Sequence, residues 1–356
     1  MNKFGFIIHP LTIKDIARKF PVSKFFSDDL MKKVIKLVPP FKASKITGVK
    51  SDLGIETEGY FICCPLTSKQ MIEAPVDEVM EKIISAGNIA IDLGCQIVGL
   101  GAFTSVVGDK GVTVAKNLNI PVTTGNSYTV ATALEGTKLA SDIMGINIKK
   151  SNILIVGATG SIGKACTRIL AKDNNYLMLA ARREEKLEEL AREIRGKYNT
   201  QVKFSIDLNS LLPEADIIIT VSSSINSLID VSLLRSGAIV CDIARPRDVA
   251  EEVACKRDDI LVIDGGIVEV PGKVQFNLDF GFPPRTSYAC MAETMILALE
   301  GRFENYSLGP ELEMERILEI SSLAIKHGFK LSSLRSLERE ITLQQLSKVR
   351  RILSST

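Results

Sequence analysis

Glycines at positions 157, 160 and 163 follow the apolar, β-branched run up to Val156 in the string NILIVGATGSIG. A buried strand that turns through such glycines into a helix leaves the first helical amides pointing outward, and a pyrophosphate is their natural partner. Gly157 makes the turn, Gly160 admits phosphate oxygens close to the backbone, and Gly163 lets the helix lie near its strand. Gly157, Ala158, Thr159, Gly160, Ser161, Ile162 and Gly163 are therefore the expected dinucleotide contacts. The next apolar run, from Tyr176, leads into Arg182 and Arg183, where an NAD enzyme usually carries a carboxylate for the ribose hydroxyls. Two guanidinium groups there suit a 2′-phosphate and make NADPH the expected cofactor; they would serve equally as the solvated start of the helix EEKLEEL.

Other polar residues stand where strands should end. Ser222, after the fourth strand of the nucleotide unit, is expected to line the cofactor cleft. Thr104 and Ser105 in GAFTS, with Thr124, Asn126 and Tyr128 in TTGNSY, are candidate contacts for substrate or nicotinamide. Helix capping by Asn126 or Ser127 competes with that reading, and Asp207 is expected to be a cap. The seven cysteines are an odd set without CxxC spacing, which argues against a disulfide framework and a zinc site. With only His9 and His327 in the chain, no metal centre is expected. Taken by itself, Cys290 in YACMAETM reads as a small buried hydrophobe.

The elements that must hold these residues follow from periodicity. GFII at 5–8, IETEGYFICC at 55–64 and QIVGLG at 96–101 read as strands, with a helix from Pro75 to Gly94 between the last two. A helix at 127–144 leads to the glycine turn. VKFSI, ADIIITV, GAIVCDI and ILVID then continue the sheet, and helices are expected over 286–301, up to His327, and over 332–353. The expected fold is α/β: a doubly wound parallel Rossmann sheet preceded by an α/β substrate domain and followed by C-terminal helices. The boundaries are 1–145 for the substrate domain, 146–283 for the NADP-binding domain and 284–356 for the helical region. The 356 residues, 46% hydrophobic with a formal net charge of +2, have the balance of a globular protein without the basic excess of a nucleic-acid binder. No apolar run reaches the roughly 18 residues of a membrane span. The start lacks a secretory cleavage pattern, so a cytoplasmic location is expected.

A series of short strings resembles the long-chain acyl-[acyl-carrier-protein] reductases, the aldehyde-forming family best known from cyanobacteria. They run in order from FGFIIHPLT near the start through GAFTSVV, TTGNSYT, VGATGSIG, LPEADIII, GGIVE, YACMAE and LEG to KHGF at Lys326 to Phe329. The resemblance implies transfer of an acyl group from acyl carrier protein or coenzyme A to a cysteine, then reduction of that thioester by NADPH to a fatty aldehyde. It assigns the nucleophile to Cys290, the phosphate turn to Gly157, Gly160 and Gly163, and the arginine after the second strand to Arg182. The chain departs from the family in having Tyr128 where cyanobacterial members have histidine, DIARPRD at 242–248 in place of a glycine-rich turn, no tryptophan, and a longer tail after Phe329.

On that reading, a helix capped by Thr286 or Ser287 puts Cys290 in its first turn, where the macrodipole and Arg285 favour a thiolate. The free amides of the turn would hold the oxyanion of the tetrahedral intermediate. Six lysines between Met31 and Lys50 form a candidate docking face for an acidic carrier protein, with an ordinary solvated face as the alternative. The C-terminal helix is a candidate homo-oligomer contact, and a long-chain product allows weak membrane association without a span. Two other functions fit the architecture: a shikimate-dehydrogenase-like hydroxy-acid dehydrogenase using Lys69, and a non-catalytic NADPH-binding sensor.

Overall fold

Four runs rich in Ile, Val and Leu have every residue at or near full burial, as strands covered on both faces of a parallel sheet must. They lie at the centres of two sheets, one in each of the two units into which the chain divides. The first unit takes Met1–Tyr128, Val268–Pro310 and Glu315–Lys330; the second takes Thr129–Ile267, Glu311–Met314 and Leu331–Thr356. The structure is a computed structural model and describes residues 1–13, 15–16, 27–224, 226–250, 256–279, 281–337 and 339–355. Cys255 lies outside them. Where three segments were expected, with boundaries at 145 and 283, the fold has two units, and the helix carrying Cys290 belongs to the first of them.

In the first unit the chain forms β1 (Asn2–Ile8), α1 (Asp28–Leu37), β2 (Phe41–Lys50), β3 (Glu56–Cys63), α2 (Ser68–Glu73), α3 (Val76–Asp92), β4 (Ile97–Leu100), α4 (Val112–Asn117), β5 (Val122–Thr123) and the start of α5 (Asn126–Met144). The second unit follows with β6 (Ile153–Val156), α6 (Ser161–Leu170), β7 (Tyr176–Ala180), α7 (Glu184–Tyr198), β8 (Gln201–Ser205), β9 (Ile217–Thr220), β10 (Ile239–Asp242) and β11 (Leu261–Asp264). After β12 (Ile267–Glu269) the chain re-enters the first unit as β13 (Gly272–Gln275), β14 (Thr286–Tyr288), α8 (Ala289–Glu300) and α9 (Met314–His327). It ends in α10 (Leu343–Ser355) of the second unit.

The first sheet has the order β13-β2-β3-β1-β4-β5, parallel from β3 through β5 and antiparallel where β2 and β13 join. Val79, Ile83, Ala86 and Ala90 recur on one face of α3 and pack in a core with Ile7, Ile62 and Val98. The helix α8, buried from Met291 to Leu299, is apolar on nearly all sides, the mark of a helix sunk in a core. Gly99 of β4 is what lets it come so close, since a Cβ there would stand 2.1 Å from the Thr294 hydroxyl.

The second sheet has the order β11-β10-β9-β6-β7-β8 with every pairing parallel, the Rossmann arrangement. One face is covered by apolar residues of α5, α7 and α10. The other is covered by Leu212 and Val231 in 3-10 turns, with Leu211, Ile229 and Val249. The expected α/β fold with its parallel sheet is therefore present.

Two local expectations are corrected. Thr286 and Ser287 belong to a strand, not to the helix or its cap; Tyr288 is the N-cap and makes no side-chain cap bond. Residues 332–337 and 339–342 are not helical: Arg335–Ser336 and Arg339–Glu340 pair, and the Ile341 amide donates to the Leu334 carbonyl at 2.9 Å. The helix starts only beyond Thr342, whose hydroxyl and amide close a reciprocal cap with Gln345. Ile341 and Val349 are buried in the second unit's core, with Leu334 and Leu346 packed against it, while Leu343 at the start of α10 is exposed.

Candidate active site

Cys290 is the second residue of α8, directly after the extended segment that Arg285 opens at a φ of +67°. It is half-buried. Cys64, Cys95, Cys166 and Cys241 are buried, and burial pushes their thiols up, to about 12 for Cys64, Cys95 and Cys241. Of the described cysteines only Cys63 and Cys290 are accessible, and Cys290 alone occupies the first turn of a helix. The helix has no side-chain cap, and its N-terminal end favours negative charge on sulfur or on a bound oxyanion.

The turn before α5 lies against this cysteine. Gly125 has a φ of +73°, and a Cβ on it would stand 2.2 Å from the Cys290 Cα. One helical turn beyond Cys290, the fully buried Glu293 holds the same turn from below. Its Oε1 accepts the Thr123 hydroxyl in a short bond and the Ser307 hydroxyl at 2.7 Å, while Oε2 accepts the Tyr128 amide at 2.8 Å. Burial pushes this carboxyl up, against the opposing pull of Thr123, Tyr128, Ser307 and the Gly125 amide. Ser307 carries the network on to the Ser127 hydroxyl at 2.7 Å.

Thr124, Asn126 and Tyr128 are thus brought to the cysteine's turn, with the Thr124 hydroxyl donating to the Ser307 carbonyl at 2.5 Å. Thr104 and Ser105 are committed differently. They lie in a buried 3-10 turn, where their hydroxyls donate to the carbonyls of Gly101 and Ala102, each at 2.7 Å. Phe103, just before them, donates its amide to Nε2 of His9 at 3.0 Å, and Nδ1 of His9 faces the Pro10 carbonyl. Burial lowers His9 to about 4 and keeps it neutral.

In the second unit, Gly157 has a φ of +80°, and a Cβ on Gly163 would stand 2.3 Å from the Gly157 carbonyl oxygen. Gly160 is the N-cap of α6 and offers no side chain to its first amides, so Ser161, Ile162 and Gly163 open a helix end shaped for an anion. Ala158 and Thr159 complete the turn, and a dinucleotide pyrophosphate fits such a cradle. Arg182 and Arg183 are exposed just beyond β7, with Arg183 at the N-cap of α7. The Ser222 hydroxyl donates to Asp248 at 2.5 Å and accepts the Ser224 amide, so it is built into the wall of its loop.

Sequence reasoning missed Glu293 and the carboxylates Asp242 and Asp248. Asp248 also accepts the Thr220 hydroxyl, while Asp242 accepts the amides of Ala244 and Val249, each at 3.0 Å. Burial raises Asp242 to about 6. Arg245 and Arg247 of the same segment reach Asp264 at 3.4 and 2.9 Å. A signal existed for Glu293, the one acid in the first two turns of an otherwise apolar helix. Asp207 caps its 3-10 turn as expected. His327 is buried beside Glu300 at 2.7 Å.

Two further candidates lie at the surface in ion pairs. Lys69 is an exposed helix residue 3.6 Å from Glu73. Of the basic run, Lys32, Lys36, Lys45 and Lys50 pair with Asp29, Glu78, Glu58 and Glu56, carboxylates brought in by the fold. Among the described residues no cluster of three or more His, Cys, Asp or Glu could hold a metal, and no helix is long and apolar enough to cross a membrane.

Residues 138–264 match the family model described as shikimate / quinate 5-dehydrogenase. The chain is 32% identical, over 98% of its length, to a protein named aminotransferase PigE from Serratia sp. (strain ATCC 39006), and spans 42% of that relative. It is 28% identical, over 92% of its length, to long-chain acyl-[acyl-carrier-protein] reductase from Synechococcus elongatus, of which it spans 98%. A glutamyl-tRNA reductase from Pasteurella multocida is 30% identical over 40% of this chain and 35% of its own.

Proposed function

We propose that this chain is an NADPH-dependent oxidoreductase that takes a long acyl group from a carrier thioester onto Cys290 and releases it as an aldehyde. The observation that carries this reading is Cys290 itself: a half-buried thiol on the first turn of a buried helix, with the Gly125 turn pressed on its backbone. The acyl-[acyl-carrier-protein] reductase similarity supports it by running nearly end to end in both chains. Glutamyl-tRNA is likewise an activated acyl group on a macromolecular carrier, so two relatives have names that describe reduction at that oxidation level. The relative named an aminotransferase extends well past the shared stretch, and an aldehyde is a carbonyl that amination consumes.

The thiolate of Cys290 attacks the thioester carbonyl, the bond to the carrier's sulfur breaks, and the carrier leaves as a thiolate that takes a proton from solvent, so the acyl group ends on the enzyme without change of oxidation state. The first amides of α8 hold the oxyanion formed in that attack, a contribution of roughly 3 kcal/mol per donor in comparable sites. Gly160 to Gly163 would hold the pyrophosphate, and Arg182 and Arg183 would hold the 2′-phosphate. NADPH, when bound, supplies the hydride that converts the enzyme thioester to aldehyde and returns the Cys290 thiolate. A hydroxy-acid dehydrogenase would need a catalytic group such as Lys69 in place of the thiol, and Lys69 stands in solvent.

Intact-protein mass spectrometry after incubation with a long-chain acyl thioester, without NADPH, tests the reading. The expected result is one acyl mass increment on Cys290, discharged by NADPH, and neither increment nor aldehyde from Cys290→Ser. Arg182→Ala is expected to raise the KM for NADPH about tenfold and leave that for NADH unchanged. Native aldehyde formation by Cys290→Ser would overturn the mechanism. Cofactor binding without thioester consumption would point to a sensor.

A further inference from the structure

Glu293 costs the first unit a buried carboxyl in the middle of its apolar core, and none of the chemistry above uses it. Its oxygens are spent on one turn and on Ser307, which is bonded to that turn. Through Thr123, Tyr128 and Ser307 it grips residues 123–128 from both ends. The Tyr128 amide is the third of α5, so Glu293 acts as a cap supplied to α5 by another helix. Between the two gripped ends lies Gly125, whose backbone rests on Cys290. The same α8 therefore carries the thiol and, one turn later, the group that fixes what lies over the thiol.

We propose that Glu293 is a positioning residue for Cys290, holding the 123–128 turn in the one conformation that seats Gly125 on the cysteine and defines the approach of the acyl group. The role rests on the acyl-transfer reading for its consequence and on hydrogen bonding for its cause. Hydrogen bonding requires an acceptor for the Tyr128 amide, the Gly125 amide has the Thr123 hydroxyl as a second acceptor at 3.2 Å, and the hydroxyls of Thr123 and Ser307 can donate or accept. A glutamine meets those needs: its oxygen takes the amide and its NH2 group donates to the two hydroxyls. An alanine meets none. Positioning therefore predicts that the conservative variant is nearly silent, whereas a role for the negative charge predicts that it is as damaging as alanine.

The experiment compares Glu293→Ala, Glu293→Gln and Thr123→Val, measuring single-turnover acylation of Cys290 by a long-chain acyl-coenzyme A and hydrogen exchange of the 123–130 amides. Glu293→Ala is expected to slow acylation by at least about tenfold, with KM little changed, and to speed exchange at 125–128. Glu293→Gln is expected to restore both to within about threefold, and Thr123→Val to fall between. If Glu293→Ala does not fold, Thr123→Val carries the test: unchanged exchange and acylation in it overturn the proposal. So does Glu293→Gln matching alanine. If the wild type itself takes no acyl group, the acyl-transfer reading falls, while the exchange comparison still judges whether Glu293 holds the turn.

Discussion

Gly125 leaves no space for even a methyl group. Its φ of +73° is a conformation that side chains disfavour, and its Cβ position is occupied by the Cys290 backbone, which cannot swing aside as a side-chain tip would. Gly125→Ala is therefore expected to destabilise the protein by about 2–5 kcal/mol, combining left-handed strain with overpacking, and to slow acylation of Cys290. Denaturant unfolding beside single-turnover kinetics checks both, and a variant of native stability would mean that the turn is free to move. Gly157 and Gly163 are legible from their spacing, a local pattern, whereas Cys290 is singled out only by the resemblance, its string alone reading as a buried hydrophobe. Glu293 is not legible, since Thr123 stands 170 residues away in the chain and nothing local relates the two.

The strands that read most clearly are those whose two faces are both buried. Ile153–Val156, Ile217–Thr220 and Ile239–Asp242 appear as plain apolar runs, and the structure keeps them within a few residues of expectation. β2 is hidden in the sequence because its pairing with β3 shifts register twice, between Lys42 and Ser44 and between Ile46 and Val49, which destroys the alternation that marks a strand. The segment before α10 reads as helix because Leu334, Leu337 and Ile341 mimic helical spacing, whereas Leu337 turns the chain at a φ of +54° between two short paired strands. The segment after β10 has a titration of its own. Asp242 binds its proton more tightly folded than unfolded, with values of about 6 against 3.8, so the folded state holds the extra proton between them. Stability from this group is greatest below about 4, declines as pH rises to about 6, and is flat above. Unfolding free energies of the wild type relative to Asp242→Asn are expected to fall across that window, and a difference independent of pH would contradict the burial of this carboxyl.

Across the whole molecule the charges are nearly balanced, at a formal +2, and the basic run that reads as a docking face is matched in the fold by Asp29, Glu56, Glu58 and Glu78. Exposed pairs of this kind contribute little to stability, yet they cancel the field an acidic partner would follow. Raising ionic strength from about 0.05 to 0.3 M is therefore expected to change KM for a carrier-protein substrate and for its coenzyme A counterpart alike, within about twofold. A much steeper response for the carrier protein would restore electrostatic docking. The path of the chain bears on how the protein is made. Residues up to Tyr128 leave the ribosome long before Val268–Pro310, yet β13 must still pair with β2, and α8 must still fill the groove over β1 and β4. Until then the nascent sheet shows one open edge and one bare apolar face, while the later unit is already emerging. Shielding that half-finished layer during synthesis is a task for chaperones, and translation pauses after residue 128 would lengthen the exposure.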